Sequence, residues 1–297
     1  MKPKIIGLGL SGLIGSRITQ LLGGKYEFVS LSRSAGVDIT KKETLDVIKT
    51  YKDANFVLHF AAKADVDGCE KDKDLGLNGD AWRINVGGTR NVSEICRETG
   101  KKMIYVSTDF VFDGQKPEEE SYSEEDRPSP INWYAKTKYE GEKAVKGSGA
   151  DCIIVRTAYP YRAKHDVKKD FVRVIWDKLN DDLEIKAVTD HIFCPTFIDD
   201  LAFALDKLIE NDEAGIYHVV GSSAISPYGA ALKIADIFGL NKDKIRKTTR
   251  EEFFKDRAPR PYNLNLKNDK IKQLGVEMRG FDDGLLEIKR QLSEPNP

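Results

Sequence analysis

The stretch Lys4-Ile5-Ile6-Gly7-Leu8-Gly9-Leu10-Ser11-Gly12-Leu13-Ile14-Gly15 decides the fold. An apolar run, Lys4 to Leu8, reads as a strand, and helical spacing begins at Ile14. Between them Gly7, Gly9 and Gly12 fit G-x-G-x-x-G, while Gly9, Gly12 and Gly15 fit G-x-x-G-x-x-G. Glycine permits a tight strand-to-helix turn and lets backbone amides come close to a pyrophosphate. The helix start near Leu13 adds unpaired N–H groups and the positive end of a dipole. Gly9, Ser11, Gly12, Leu13 and Ile14 are therefore candidate dinucleotide contacts. The strand before and the helix after give this pattern the context a bare glycine motif lacks. No Gly-Lys-Ser/Thr ends the loop, so it is not a Walker loop.

Working outward, further strands are expected at Glu27 to Leu31, Phe56 to Phe60, Met103 to Val106 and Ile153 to Val155. Helical spacing fills Ile14 to Leu22, Lys42 to Tyr51, Ile84 to Arg97 and Tyr134 to Val145. This alternation predicts an α/β fold: a Rossmann-type, doubly wound parallel sheet with right-handed crossovers. After Arg156 the pattern loosens. A helix near Asp199 to Leu208 and a strand Ile216 to Val220 return to the sheet, and a last helix starts near Asp283. The expected division is a dinucleotide-binding domain at 1–157 and 196–221, interleaved with a smaller C-terminal substrate-binding lobe at 158–195 and 222–297.

Composition narrows the function classes. The chain has 297 residues, 40% hydrophobic and 32% charged, with a formal net charge of -1. That balance suits a globular protein and gives no general pull toward nucleic acid or an anionic membrane. The four cysteines (Cys69, Cys96, Cys152, Cys194) lack zinc-ligand spacing and read as free thiols, so no metal is expected. The glycine-broken N-terminal apolar run is shorter than the ~20 residues that span a bilayer. A cytoplasmic protein with no membrane partner is expected. The acidic run Glu118 to Glu120 reads as a solvated loop.

At the end of the second strand, where a site for NAD usually carries an acid, this chain has Ser32-Arg33-Ser34. A hydroxyl beside a guanidinium welcomes a 2′-phosphate, so NADP, with NADPH preferred over NADH, is the expected cofactor. Asp38 and Ile39 follow as candidates to lie beside the adenine.

Tyr134 and Lys138, four apart on a helix, share one face. A phenol of pKa near ~10 is a poor acid–base catalyst at neutral pH, and a nearby ammonium is expected to favour its phenolate. Tyr139 and Lys143 have the same spacing, yet five residues of helix is about 500° of rotation, so both pairs cannot face one pocket. Upstream, Thr108 and Ser107 compete as the hydroxyl that holds a carbonyl oxygen; adjacent strand residues point to opposite faces, so only one serves.

At this point the chain resembles the extended short-chain dehydrogenases/reductases and, more narrowly, the dTDP-4-dehydrorhamnose reductase family. The residues that carry the likeness run along nearly the whole chain. They are the glycine loop, His59-Phe60-Ala61-Ala62, Val66-Asp67, Asn85 with Gly88-Thr89, Ser107 to Gly114 and Tyr134-Ala135-Lys136-Thr137-Lys138. Arg156-Thr157, Asp190-His191, Pro195-Thr196, Gly215 to His218 and Ala258-Pro259-Arg260-Pro261 complete them. The resemblance implies that Thr108, Tyr134 and Lys138 are catalytic, with Tyr134 as proton donor to a sugar C4 ketone. It implies that Lys138 bonds the nicotinamide ribose and that Phe60, Ala61 and Ala62 line the cofactor. Val66, Thr108, Phe110, Tyr159, His191 and Arg260 are the implied substrate contacts.

The matches depart from the family where the sugar binds. Phe110 stands for tyrosine, Tyr159 for tryptophan, His191 for glutamine, Phe193 for glycine and Asp170 for asparagine. Altered polar groups in such a site change which substrate is accepted. His191 reads equally as a substrate contact or a packed structural histidine. Arg260 reads as a clamp on a nucleotide diphosphate or as a salt bridge anchoring its loop. His59 and Trp133 read as structural, and His165, among lysines, as a surface residue.

The leading function is NADPH-dependent reduction of the C4 ketone of a nucleotide-linked 4-keto-6-deoxy sugar, in a chain compatible with a homodimer. A nucleotide-sugar epimerase or dehydratase is the second reading. Against it stand Ser32-Arg33 and the expectation that Asp109, next on the strand after Thr108, points away. A non-catalytic, NADP-binding regulatory subunit, like that of methionine adenosyltransferase, is the third.

Overall fold

The computed structural model describes residues 1–165 and 167–294; the end of the expected second lobe, 295–297, lies outside them. Six parallel strands form its centre: β1 (Lys4–Leu8), β2 (Glu27–Leu31), β3 (Ala54–His59), β4 (Lys102–Thr108), β5 (Cys152–Thr157) and β6 (Gly215–His218). Their order is β6-β5-β4-β3-β1-β2. Ile6 pairs with Val29 on one side and Val57 on the other, and Tyr105 with His59 and Ile154. After β2 the chain crosses β1 to start β3, so a crevice opens at the carboxyl ends of β1 and β3, where open α/β sheets bind ligands.

The described residues include seven helices of ten residues or more: α1 (Leu13–Leu22), α2 (Thr89–Thr99), α3 (Trp133–Gly147), α4 (Phe171–Asn180), α5 (Ile198–Glu210), α6 (Pro227–Phe238) and α7 (Phe281–Ser293). Strand alternation divides the core in two. Ile5, Leu58, Ile104 and Ile153 face Ile18 and Leu22 of α1 and Leu201, Leu205 and Leu208 of α5. Their neighbours Ile6, Val57, Met103, Tyr105 and Ile154 face Val92 and Ile95 of α2 and Val145 of α3. All seven residues of β4 are buried, as a strand covered on both faces requires.

The C-terminal elements gather around a separate core of Tyr161, Phe193, Phe197, Ile234, Phe281 and Leu285. Two parallel strand pairs flank it, Ile185–Val188 with Ile245–Thr248 and Ile192–Phe193 with Asn263–Leu264. All four cysteines are free thiols. No helix among the described residues is long and apolar enough to cross a membrane.

Three expectations need correction. Lys42 to Tyr51 forms 3-10 turns, Lys42–Thr50, in place of an α-helix. Only Leu45 and Ile48 of it are buried, too narrow a stripe to hold a full α-helix on the sheet. Ile84 to Arg97 opens as a π-helical stretch, Arg83–Gly88, before α2. There Asn85 turns inward, donating from Nδ2 to the Lys63 carbonyl (3.0 Å) and Thr137 Oγ1 (2.9 Å), a local widening of the kind common at functional sites. The strand expected to run to Val220 ends at His218, although Val219 N–H still bonds the Arg156 carbonyl at 2.9 Å.

Helix α3 meets β4 and the π-helical stretch through Gly141. A Cβ built there would lie 2.4 Å from Tyr105 Oη and 2.7 Å from the Asn85 carbonyl oxygen. Gly141→Ala is therefore expected to cost about 2 kcal/mol, overcrowding outweighing alanine's better helix propensity. Thermal denaturation checks this: an unchanged or higher Tm in the variant contradicts so close an approach of α3.

Candidate active site

The turn after β1 has the shape the glycine spacing implied. Gly9 adopts φ +87°, and a Cβ there would sit 2.8 Å from the Ala61 backbone nitrogen. At Gly15 a Cβ would meet Leu10 Cα at 2.6 Å. Gly12 donates its N–H to the Gly9 carbonyl (3.2 Å) and begins α1 with no side-chain cap and no acid in the first turn. An uncapped helix start with a glycine floor fits a dinucleotide pyrophosphate: amide donors and the dipole face outward, and no Cβ fills the approach. Ser11 and Gly12 are exposed, and Phe60, Ala61 and Ala62 stand partly exposed just past β3. Arg162 lies across the same end of α1, donating to Ser16 Oγ at 2.9 Å. Sequence reasoning did not select it, because it is distant in the chain and has no motif around it.

At the end of β2, Ser32 and Ser34 hydroxyls pair at 2.8 Å and Arg33 is largely exposed. Arg33 Nε lies 3.4 Å from Asp38 Oδ2, while Asp38 Oδ1 accepts from Thr40 N and Oγ1. Those Thr40 bonds hold the Asp38 carboxyl below its usual range. Ile39 belongs to the sheet core, with Gly88 against it; of the Asp38-Ile39 pair, Asp38 keeps the partly exposed side chain.

A cavity of about 510 Å³ opens at the crevice. Thr108, Tyr134 and Lys138 share its lining with Leu13, Ile14, Phe60, Ala62, Val66, Phe110, Tyr159 and Arg260. Helix α3 brings Tyr134 there because Asn132 caps it: Asn132 Oδ1 accepts from Ala135 N at 2.8 Å. Asn132 Nδ2 donates to the Pro259 carbonyl at 3.0 Å, tying the helix start to the Arg260 loop. Phe110 meets the Tyr134 ring edge-on, centroids 6.3 Å apart. Tyr139, the alternative tyrosine, is absent from the lining and has Lys143 above its ring.

The two competing hydroxyls differ in their hydrogen-bond partners. Ser107 also lines the cavity, but its Oγ donates to Glu142 Oε1 at 2.6 Å, so its proton is committed. Thr108 Oγ1 donates to Asp109 Oδ1 at 2.9 Å. Asp109 was expected to point away; it lines the cavity instead. The strand stops at Thr108 and Asp109–Val111 is a 3-10 turn, so alternation no longer governs residue 109. Its Oδ2 has no hydrogen-bond partner, and burial pushes its carboxyl up to about 7.

A second correction concerns the ammonium. Lys138 Nζ donates to the Val106 carbonyl at 2.8 Å and lies 4.1 Å from the Tyr105 ring centroid. Burial lowers its pKa to about 7, against the pull of the Glu142 carboxylate. Burial likewise pushes the Tyr134 phenol well above its ordinary value; the hydrogen bond with Thr108 works the other way, and Asp109 adds to the rise. The expected relief of the phenol by Lys138 is absent, because desolvation governs both groups.

Of the remaining candidates, His59 Nε2 pairs with Thr89 Oγ1 at 3.0 Å in the core. Trp133 stacks on Trp82, and His165 is half-buried. Arg260 reaches the cavity while donating to Asp67 Oδ1 at 2.9 Å, so the loop anchor is formed. His191 is fully buried behind Tyr159. Asp109, Lys168, Phe171 and Phe254 also line the cavity; sequence reasoning missed them as contacts, and only the Lys168-Lys169 charge pair signalled any of them.

An acid whose folded pKa is raised costs stability while it is ionised. For Asp109 that cost is complete above about pH 7 and vanishes below its free-chain value of 3.8. Asp109→Asn, isosteric with the neutral acid, is expected to stabilise the protein at pH 8 by up to about 4 kcal/mol, the gain fading toward pH 4. Denaturant melts at both pH values measure it; an equal effect at pH 8 and pH 4 rules out a buried, titrating carboxyl.

Comparison with known proteins accords with this geometry. A dTDP-4-dehydrorhamnose reductase of Mycobacterium tuberculosis is 29% identical over 261 residues, covering 87% of this chain and 81% of the relative. The methionine adenosyltransferase 2 subunit beta of Rattus norvegicus is 32% identical over 230 residues, covering 75% of this chain and 66% of that protein. The crystal structure of dTDP-4-dehydrorhamnose reductase from Bacillus anthracis in complex with NADP superposes with a TM-score of 0.88 at 30% identity, covering 98% of this chain and 100% of that one. The model of the RmlD substrate binding domain family matches residues 3–293, and the chain belongs to that family.

Proposed function

We propose that the protein reduces the C4 ketone of a nucleotide-linked 4-keto-6-deoxy sugar, with NADPH as reductant. The observation that carries this reading is the meeting of Thr108, Tyr134 and Lys138 in one cavity whose other wall is the start of α1. The amides at Gly12 to Ile14 would hold the pyrophosphate, Ser32 and Arg33 the 2′-phosphate, and Lys138 the nicotinamide ribose. When bound, the cofactor supplies hydride to the carbonyl carbon.

The chain's own residues handle the oxygen and its proton. Thr108 Oγ1 holds the carbonyl oxygen in place, and Tyr134 Oη donates a proton to it as negative charge develops. Burial favours the neutral phenol, so the proton is in place before reaction. Lys138, balanced near neutral pH by burial against Glu142, supplies positive charge beneath a phenol that has given up its proton. Phe110 and Tyr159 wall the sugar from water.

A second reading draws on Asp109, which puts a carboxyl in the cavity beside Thr108, as an epimerase or dehydratase would use. Ser32 and Arg33 in place of an acid favour the reductase. The third, regulatory reading has support in the methionine adenosyltransferase subunit among the relatives.

Three outcomes test the proposal. The protein, NADPH and a dTDP-linked 4-keto-6-deoxyhexose should consume NADPH, read as loss of its near-ultraviolet absorbance; no turnover with any 4-keto nucleotide sugar favours the regulatory reading. Tyr134→Phe should lower kcat by about 100- to 10,000-fold with cofactor affinity nearly intact, and an unchanged kcat removes Tyr134 from proton transfer. Arg33→Ala should raise the KM for NADPH about tenfold or more, with little change for NADH; equal losses would undo the assignment of the 2′-phosphate site.

A further inference from the structure

Tyr159 occupies a conformation that its side chain does not favour. Its φ is +39°, in the left-handed region where a bulky residue is strained, at a cost of order 1–3 kcal/mol. The backbone around it is fixed, since Thr196 N–H donates to the Ala158 carbonyl at 3.1 Å. The result is a ring aimed into the cavity, with Phe193 packed on its far side at a centroid distance of 4.0 Å.

Behind it lies a relay of two hydrogen bonds. His191 Nδ1 is 2.7 Å from the Pro261 carbonyl oxygen, and His191 Nε2 is 2.9 Å from Tyr159 Oη. A carbonyl only accepts, so Nδ1 must carry a hydrogen. Burial of this ring opposes a positive charge most strongly and Arg250 and Arg260 oppose it too, outweighing the Pro261 carbonyl and Asp190, which favour it. The imidazole is therefore neutral, and Nε2 has a lone pair and no hydrogen. The Tyr159 hydroxyl must then donate to Nε2, and its proton is committed. To any group that reaches it, its oxygen then offers lone pairs only.

We infer that the Tyr159–His191–Pro261 relay fixes the sugar wall as a hydrogen-bond acceptor, so that the site selects substrates presenting a hydroxyl or amino hydrogen to Tyr159 Oη. This rests on the nucleotide-sugar reading above and adds the polarity of one subsite. The surroundings sharpen it. Phe110, edge-on to Tyr134 and 6.1 Å from the Tyr159 ring centroid, offers no polar atom between proton donor and wall. Asp109 and Thr157 also line the cavity, and Asp109 Oδ2 and Thr157 Oγ1, both buried, have no hydrogen-bond partner. A ring carbon lacking its hydroxyl would leave the buried acceptor unpaired, the kind of loss that discriminates strongly between substrates. His191 acts through Tyr159 and is a positioning residue.

Two measurements test the relay, one independent of turnover. Nitrogen-15 NMR of the histidine rings at pH 7, with the His191 signals assigned by their loss in His191→Gln, should show Nδ1 protonated and Nε2 bare. The Nε2 shift should move in Tyr159→Phe. A doubly protonated ring, an Nε2-protonated tautomer or an Nε2 unmoved by Tyr159→Phe overturns the inference, whatever reaction the protein catalyses. In the second, kcat/KM is compared between a dTDP-linked 4-keto-6-deoxyhexose and its 2-deoxy and 3-deoxy analogues. The protein should disfavour at least one analogue by about 100-fold or more, mainly through KM. In Tyr159→Phe that ratio should collapse to within about fivefold, and His191→Gln, which frees the hydroxyl to rotate, should fall between. A ratio unchanged in Tyr159→Phe overturns the acceptor wall. Absence of NADPH consumption with every sugar overturns the reductase reading, and the relay is then decided by the NMR result.

Discussion

The site depends on how closely helix α3 lies on strand β4. Gly141 brings the helix against Tyr105 and the Asn85 backbone, and from that distance the Lys138 ammonium reaches the Val106 carbonyl. One turn before Lys138, Tyr134 faces the cavity; one turn after it, Glu142 enters the protein interior. There Glu142 accepts from Ser107 and receives both Nε and Nη2 of Arg156, at 3.0 and 2.8 Å. Three successive turns of one helix thus deliver a phenol, an ammonium and a paired carboxylate to a strand buried on both faces. Moving α3 by the width of a methyl group would break all three placements together.

Desolvation is the consequence of that closeness, and it sets the electrostatics of the whole cleft. Tyr134, Asp109 and Lys138 are all driven toward their neutral forms by burial. Glu142 and Arg156, equally buried, form a bidentate ion pair in which each satisfies the other's hydrogen bonds. The cleft therefore has an ion pair beneath it and, above it, a phenol that keeps its proton beside a carboxyl and an amine that burial brings near neutral pH.

The fold was legible because its determinants are local. The glycine turn, the buried apolar strands and the helical spacing of α1, α3 and α5 each contain their own signal within a dozen residues. Elements whose form is set by distant partners were not legible. The Lys42–Thr50 turns, the π-helical opening at Arg83–Gly88 and the strand pair Ile185–Val188 with Ile245–Thr248 answer to packing, in the last case with a partner about sixty residues away. In the site, alternation along β4 left the choice between Thr108 and Ser107 open, and both line the cavity, with Ser107 bonded to Glu142 and Thr108 to Asp109. Asp109 was misjudged by the same rule, one residue beyond where the strand ends.

The loop from Ala258 to Pro261 joins these levels, and nothing in its own composition announces as much. Arg260 and Arg257 both bond Asp67, beside the substrate candidate Val66. The Pro259 carbonyl accepts from Asn132, the cap that starts α3. The Pro261 carbonyl accepts from His191, behind Tyr159. Prolines at 259 and 261 remove two backbone donors and restrict φ, leaving rigid carbonyls as acceptors at fixed points. A short rigid segment from the C-terminal elements therefore positions both the start of α3 and the aromatic wall at Tyr159. The start of the Tyr134 helix and the Tyr159 wall thus share one support, the carbonyls of Pro259 and Pro261.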